Sequence, residues 1–317
     1  MIERAISLSV VMLLCCPITA EATPPVARVL DVQGTVKILG INGKARPAAR
    51  FVTVYADEWL EGSDASSSAK LMFKSDGHLE CLQGKVKSQA TEKGCQPPGI
   101  RQDQVPPPIK RSAAKWFADL PETPGGISIA RGDSPIVEPI SNSRILSAKP
   151  VFAWPAKRGV SHYELILSSG TDDSVVWSIK TNATTASYPG EPALNLGDGY
   201  YWTVDKFPRN ENEDPQVFIA EGSFVLASEA ERMQVKELQQ LAQSADAAWS
   251  LVAAENLMRM HFYAEAIAGY EKLAATSGND PYFHVVLANL YTIARRHSDS
   301  AAAQKRARQL GYKLLND

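Results

Sequence analysis

A chain of 317 residues that is 44% hydrophobic and 21% charged has enough apolar surface to bury a core, and its length accommodates about two to three domains. Its 33 basic and 35 acidic residues leave a formal charge of −2. That balance excludes the concentrated basic footprint of a duplex nucleic-acid binder and the polybasic patch of a membrane-surface protein. Beyond the N-terminus no uninterrupted apolar run reaches the ~18–20 residues of a bilayer span.

Residues 1–22 have the pattern of a secretory signal. Arg4 gives a positive start, Ala5–Ala20 is mostly apolar, and Ala20-Glu21-Ala22 is a small-x-small cleavage site. The mature chain is then expected to begin at Thr23, in the periplasm or outside a bacterial cell. Two alternatives stand beside cleavage: an uncleaved anchor, and lipidation at Cys15 or Cys16, although Met12-Leu13-Leu14 lacks the small residue a lipoprotein peptidase prefers. After cleavage only Cys81 and Cys95 remain. In an exported chain this pair predicts one disulfide, a staple that stabilises by about 3 kcal/mol in the chain-entropy model.

Residues 23–95 alternate apolar and polar positions at strand period. Val32, Val36 and Ile38 fall on alternate positions, and Ala69–Phe73 runs into the turn Ser75-Asp76-Gly77 before His78–Leu82. Short strands joined by tight turns predict a small all-β domain. Residues 96–125 are expected to form a linker, because ten of the twenty prolines lie between Pro97 and Pro150. Proline removes backbone donors and fixes φ.

From 126 to 227, aromatic-rich strands recur between polar turns, among them Val151–Trp154, His162–Leu167, Val175–Ile179 and Tyr200–Val204. That spacing predicts a β-sandwich with Trp154 and Trp202 in its core. From 228 to 317 the period becomes helical. Ser228 with Glu231 makes a capping box, and helices are predicted over 247–260, 263–275, 281–296 and 298–310. Pro281 opens the third of these.

Three resemblances follow from these residues. Gly34-Thr35-Val36-Lys37-Ile38, Ala56-Asp57-Glu58-Trp59-Leu60-Glu61-Gly62, Ser66–Leu71 and Asp76-Gly77 stand in the order of the FecR domain of bacterial envelope proteins. The chain departs from that pattern at Ala56, where glycine is usual, and at Glu61, where Thr or Ser is usual. The middle zone resembles an immunoglobulin-like or fibronectin type III-like module through Pro150–Trp154, Tyr163-Glu164-Leu165 and Leu196–Val204. The tail resembles tetratricopeptide repeats: at a 34-residue offset Ala254 pairs with Ala288, Leu257 with Tyr291, Tyr263 with His297 and Ala266 with Ser300. The fold class that results is multidomain: a small all-β FecR-like domain, an immunoglobulin-like sandwich and an all-α helical-hairpin tail.

Catalytic patterns are not found. There is no P-loop, GxSxG elbow or HExxH, and the five histidines fall in separate elements without ligand spacing. Asn210–Asp214 is a polar run without the EF-hand glycine and is expected to be a solvated hairpin loop. Arg131-Gly132-Asp133-Ser134 is expected to be a linker turn.

No cofactor and no metal site is implied. The chain is expected to be an exported, non-enzymatic binding or scaffold protein of the cell envelope whose partner is a protein, a peptide or an envelope polymer. On the repeat register Glu255, Arg259, Tyr282 and Asn289 are expected to project into the tail's groove, with Arg259 pairing a carboxylate and Tyr282 covering apolar surface. A FecR-type signalling component acting through a membrane partner is the alternative. A glycan hydrolase is a third class, and needs two carboxylates in a cleft.

Overall fold

The computed structural model describes residues 23–102, 137–208, 217–244, 247–277 and 279–312. The signal segment, the proline run, Arg131–Ser134 and the Asn210–Asp214 loop lie outside the described residues. The described chain is multidomain, with several largely antiparallel β sheets followed by five helices. Among the described residues no helix is long and apolar enough to cross a membrane.

The first module holds ten strands: β1 (Pro25–Gln33), β2 (Val36–Leu39), β3 (Ala45–Pro47), β4 (Thr53–Tyr55), β5 (Trp59–Gly62), β6 (Ser68–Phe73), β7 (Leu79–Gln83), β8 (Lys87–Thr91), β9 (Gly94–Gln96) and β10 (Ile100–Gln102). They form two five-stranded sheets, ordered β10-β7-β6-β1-β4 and β3-β2-β5-β8-β9. Val29, Ile38, Val54, Leu60, Leu71 and Phe73 fill the space between them. Pairing of β10 with β7 carries this module to Gln102, past the Cys95 boundary drawn from the sequence.

Strand β1 is buried without a break from Val26 to Leu30, unlike a strand with one wet face. The cause is a second partner. Val26, Ala27 and Val29 belong to the core between the two sheets. Leu30, with Met72 of β6 and Leu79 of β7, joins the core of the helical tail instead. The first sheet is therefore covered on both faces.

The same alternation decides the cysteines. Glu80 turns inward, where its Oε2 accepts a hydrogen bond from the Cys95 backbone N–H at 3.1 Å. Cys81, the next residue, therefore points to the opposite face, while Cys95 is part of the core between the sheets. Both thiols are free. The expected Cys81–Cys95 bridge is corrected on this ground: strand parity turns the two side chains apart.

The second module has β11 (Ser143–Ile145), β12 (Val151–Ala153), β13 (Val160–Ser169), β14 (Val175–Thr181), β15 (Thr185–Ser187), β16 (Gly199–Pro208) and β17 (Val217–Leu226). A sheet ordered β11-β17-β16-β13-β14 faces the pair β12-β15. Trp154 and Trp202 are core residues, as expected, with Phe152, Tyr188 and Phe224. Phe152 meets the Trp202 indole edge-on at 5.5 Å. Gly222 is the register partner of Trp202, and a methyl added there would meet the indole ring at 2.9–3.1 Å.

The tail comprises α1 (Glu229–Leu241), α2 (Ala247–Arg259), α3 (Tyr263–Thr276), α4 (Pro281–Ile293) and α5 (His297–Gln309). The capping box predicted at Ser228 and Glu231 opens α1, and Asp280 caps α4 ahead of Pro281. Helix α4 stops at Ile293 rather than Arg296, because Arg295 turns left-handed at φ 55°. Small residues let the hairpin helices approach. Gly269 of α3 lies against Ala254 of α2, and the buried Ser300 of α5 donates from Oγ to the Ala288 carbonyl of α4 at 2.8 Å. Strand β11 ties the second module to the tail: Arg144 pairs with Glu231, and its N–H donates to the His261 carbonyl at 2.9 Å.

Gly222→Ala is expected to lower stability by about 1–3 kcal/mol through overpacking against Trp202, measured as a reduced urea midpoint of the second module. Melting of the chain is expected to be the same with and without reductant.

Candidate binding site

The segment between β3 and β4 turns a tight corner at Arg50 and Phe51. The Phe51 N–H donates to the Val29 carbonyl at 2.7 Å, and the Val29 N–H donates to the Val52 carbonyl at 3.1 Å. These bonds pin the corner to β1. Phe51 adopts the left-handed region at φ 63°, uncommon for a bulky residue. Its ring is nonetheless buried, and lies 5.9 Å from the ring of Tyr282 in α4.

Arg50 stands beside it and bridges two modules. Its guanidinium pairs with Asp31 of β1 at 2.5 Å and with Asp280 at the start of α4. It also lies over the rings of Tyr282 and Phe283, 5.4 and 5.2 Å from their centroids. Burial works against the charge. The carboxylates of Asp280 and Asp31 overcome that cost and hold the Arg50 pKa above its ordinary value. Asp280 serves twice, because its Oδ1 also accepts from the Tyr282 N–H at 3.0 Å and caps the helix.

Behind these rings lies a buried polar cluster. Glu255 of α2 accepts hydrogen bonds from the hydroxyls of Tyr270 in α3 and Tyr282 in α4. Burial raises the Glu255 pKa, and this outweighs the opposing effects of the two tyrosines and of Arg259. Burial likewise raises both tyrosines, and the Glu255 charge adds to it.

An open cleft of about 590 Å³ runs alongside the corner, between the first module and the tail. Asp31, Gln33, Arg50 and Lys70 line it from the first module, and Leu251, Asn279, Asp280 and Phe283 from the helices. Lys70 is the register partner of Asp31, so both reach the cleft from adjacent strands.

The four residues expected in the tail's groove have different surroundings. Glu255 is 3% exposed and belongs to the helical interior, which corrects its assignment to a peptide-facing surface. Tyr282 does cover apolar surface, but the surface is this chain's own Phe51. Arg259 is exposed in the last turn of α2, and Asn289 is half-buried two turns along α4 from Tyr282. None of the four lines the cleft. Sequence reasoning missed Arg50, Phe51 and Lys70. Asp280 was passed over as well, although a capping position directly before Pro281 was visible there.

A second buried cluster sits inside the first module. His78 stacks on Phe73 at 4.8 Å, with one ring nitrogen against Asp76 and the other 3.0 Å from Glu80. Glu80 also accepts from the Gly99 N–H at 3.3 Å, so it ties the β9–β10 connection to the first sheet. Burial, reinforced by Glu80, pushes the Cys95 thiol far above its ordinary pKa and so away from thiolate chemistry. Among the described residues no group of three or more His, Cys, Asp or Glu side chains is arranged to hold a metal ion.

No protein-family profile matches the chain, and no curated protein matches it. Among solved structures, the crystal structure of a beta-1,2-glucanase from Parabacteroides distasonis aligns over 91% of this chain and 49% of its own length. The chain thus spans about half the length of that protein, at 11% identity and a TM-score of 0.22. At that score the two need not share a fold.

Glu255→Ala is expected to destabilise the chain by about 2–3 kcal/mol, because it leaves two buried hydroxyls without an acceptor. Glu255→Gln, which keeps an acceptor oxygen, loses much less. Since folding raises the Glu255 pKa, its contribution is full below the ordinary value of 4.5 and is lost as pH rises through the folded value. Unfolding free energies measured from pH 4 upward are expected to fall less steeply in Glu255→Gln than in the unsubstituted chain.

Proposed function

We propose that this chain is an exported, non-enzymatic binding and scaffold protein of the bacterial cell envelope. Its first module is FecR-like, its second immunoglobulin-like or fibronectin type III-like, and its tail built of tetratricopeptide-like hairpins. The order of the Gly34, Asp57–Gly62 and Asp76-Gly77 motifs supports the first likeness. The aromatic core around Trp202 supports the second, and the small-residue contacts Gly269–Ala254 and Ser300–Ala288 support the third.

The observation that carries the reading is the cleft between the first module and the tail. Its volume of about 590 Å³ falls in the range of ligand pockets, ~300–1,000 Å³. Its walls mix backbone turns, small side chains and both signs of charge, the chemistry of a site that holds a peptide segment. Its two carboxylates among the described residues, Asp31 and Asp280, are both taken up by Arg50. A glycan hydrolase instead needs one carboxyl turned to the glycosidic oxygen and another to the sugar ring. Binding, with the modules held in a set arrangement, accounts for this pairing.

A photo-cross-linking side chain at Asn279, in the cleft, is expected to trap a discrete partner in cells, and the same probe at the exposed Ser178 is not. Gln33→Trp, which fills the cleft from β1, is expected to remove the Asn279 adduct. Identical adducts from both positions, or none from Asn279, would sink the proposal.

A further inference from the structure

Resting on the binding role proposed above, we infer that the face of the tail formed by Asp280, Tyr282 and Phe283 recognises an arginine followed by an aromatic residue. In this chain its own Arg50-Phe51 corner occupies that face and holds it closed. The chemistry is read from the occupant. A guanidinium meets the Asp280 carboxylate and lies over two aromatic rings, while an adjacent aromatic ring packs on Tyr282. Planar cations are favoured in such a setting, since carboxylate pairing and ring stacking act on the same group. The site is also pre-set. The Tyr282 hydroxyl donates to Glu255, and the Asp280 side chain accepts from the Tyr282 N–H, so ring and carboxylate are oriented from behind.

Three features make the internal occupant displaceable. No strand of the first module pairs with a strand outside it among the described residues, so the docking is made by side chains and breaks no ladder. Phe51 packs on Tyr282 with its backbone in the left-handed region, a strain that an incoming extended segment does not carry. The contact borders the open cleft, and the Arg50 side chain keeps 19% of its surface exposed, which gives a competitor a line of approach. The Arg50-Phe51 corner then acts as a plug in that face, and a partner carrying the Arg-aromatic pair competes for it, while Leu30, Met72 and Leu79 keep the first module packed on the helices.

The test uses the full chain and a fluorescent peptide copying residues 46–55, which carries Arg50-Phe51 in their native flanks. Wild type is compared with Arg50→Ala/Phe51→Ala, in which the internal occupant is removed. Far-UV circular dichroism checks that the variant is folded, and Arg50→Gln alone replaces it should the pair not fold. The opened variant is expected to bind the peptide at least about tenfold more tightly than wild type, by fluorescence anisotropy. Adding Asp280→Asn and Tyr282→Ala is expected to abolish that gain, as is replacing by alanine the peptide arginine that copies Arg50, with the one that copies Arg46 kept. Equal affinity of wild type and opened variant, absence of binding by the folded opened variant, or full binding of the alanine peptide would each overturn the inference. A cleft adduct at Asn279 without peptide binding discards this inference and leaves the binding role standing. Peptide binding without the adduct supports this inference and discards only the cleft as the place where a partner docks.

Discussion

The arrangement of this molecule turns on one guanidinium. Arg50 lies between Asp31 of its own module and Asp280 of the tail, over the rings of Tyr282 and Phe283. Each partner compensates a different cost. The carboxylates offset the burial of the charge, and the rings cover the flat faces of the side chain that cannot hydrogen-bond. Because Asp280 also caps α4, the start of that helix and the corner of a β module are set by the same carboxylate.

Around that contact the apolar surfaces follow. Leu30, Phe51, Met72 and Leu79 leave the first module's own core and enter the core of the helices. A small β domain that buries little by itself thereby gains a second packed face. The second module is held differently. Arg144 of β11 reaches Glu231 at the start of α1 and its N–H donates to the His261 carbonyl, so the second module is joined to the tail by an ion pair and a backbone hydrogen bond. The two junctions differ in kind: the first module packs on the helices through buried apolar side chains, and the second is held by an ion pair and one backbone hydrogen bond.

The buried polar groups tie separate elements together. Glu255 joins α2, α3 and α4 through two tyrosine hydroxyls, and Glu80 joins β7 to the β9–β10 connection while facing His78. A group of this sort is costly in any packing that leaves it unpaired, so it selects one register of helices or strands over near alternatives. The cleft, open to solvent and bounded by two modules, presents exposed side chains of mixed chemistry.

Much of the fold was legible from residue order alone. Strand alternation around Val36 and Ile38, the aromatic core of Trp154 and Trp202, the Ser228–Glu231 capping box and the start of α4 at Pro281 are local signals, set by periodicity and by the needs of helix ends. The candidate site was not legible in this way. Arg50 is 230 residues from Asp280 and Phe51 is 231 from Tyr282, and no spacing rule links a turn in one module to the first turn of a helix in another. Likewise Cys81 and Cys95 looked like a staple by their proximity in sequence, but the parity of β7 turns them apart. Glu255 looked like a groove residue until two tyrosines enclosed it. Local hydrogen bonding and hydrophobic period decide elements within a few residues, whereas burial and pairing across modules depend on which faces meet, and that is determined only when the chain is packed.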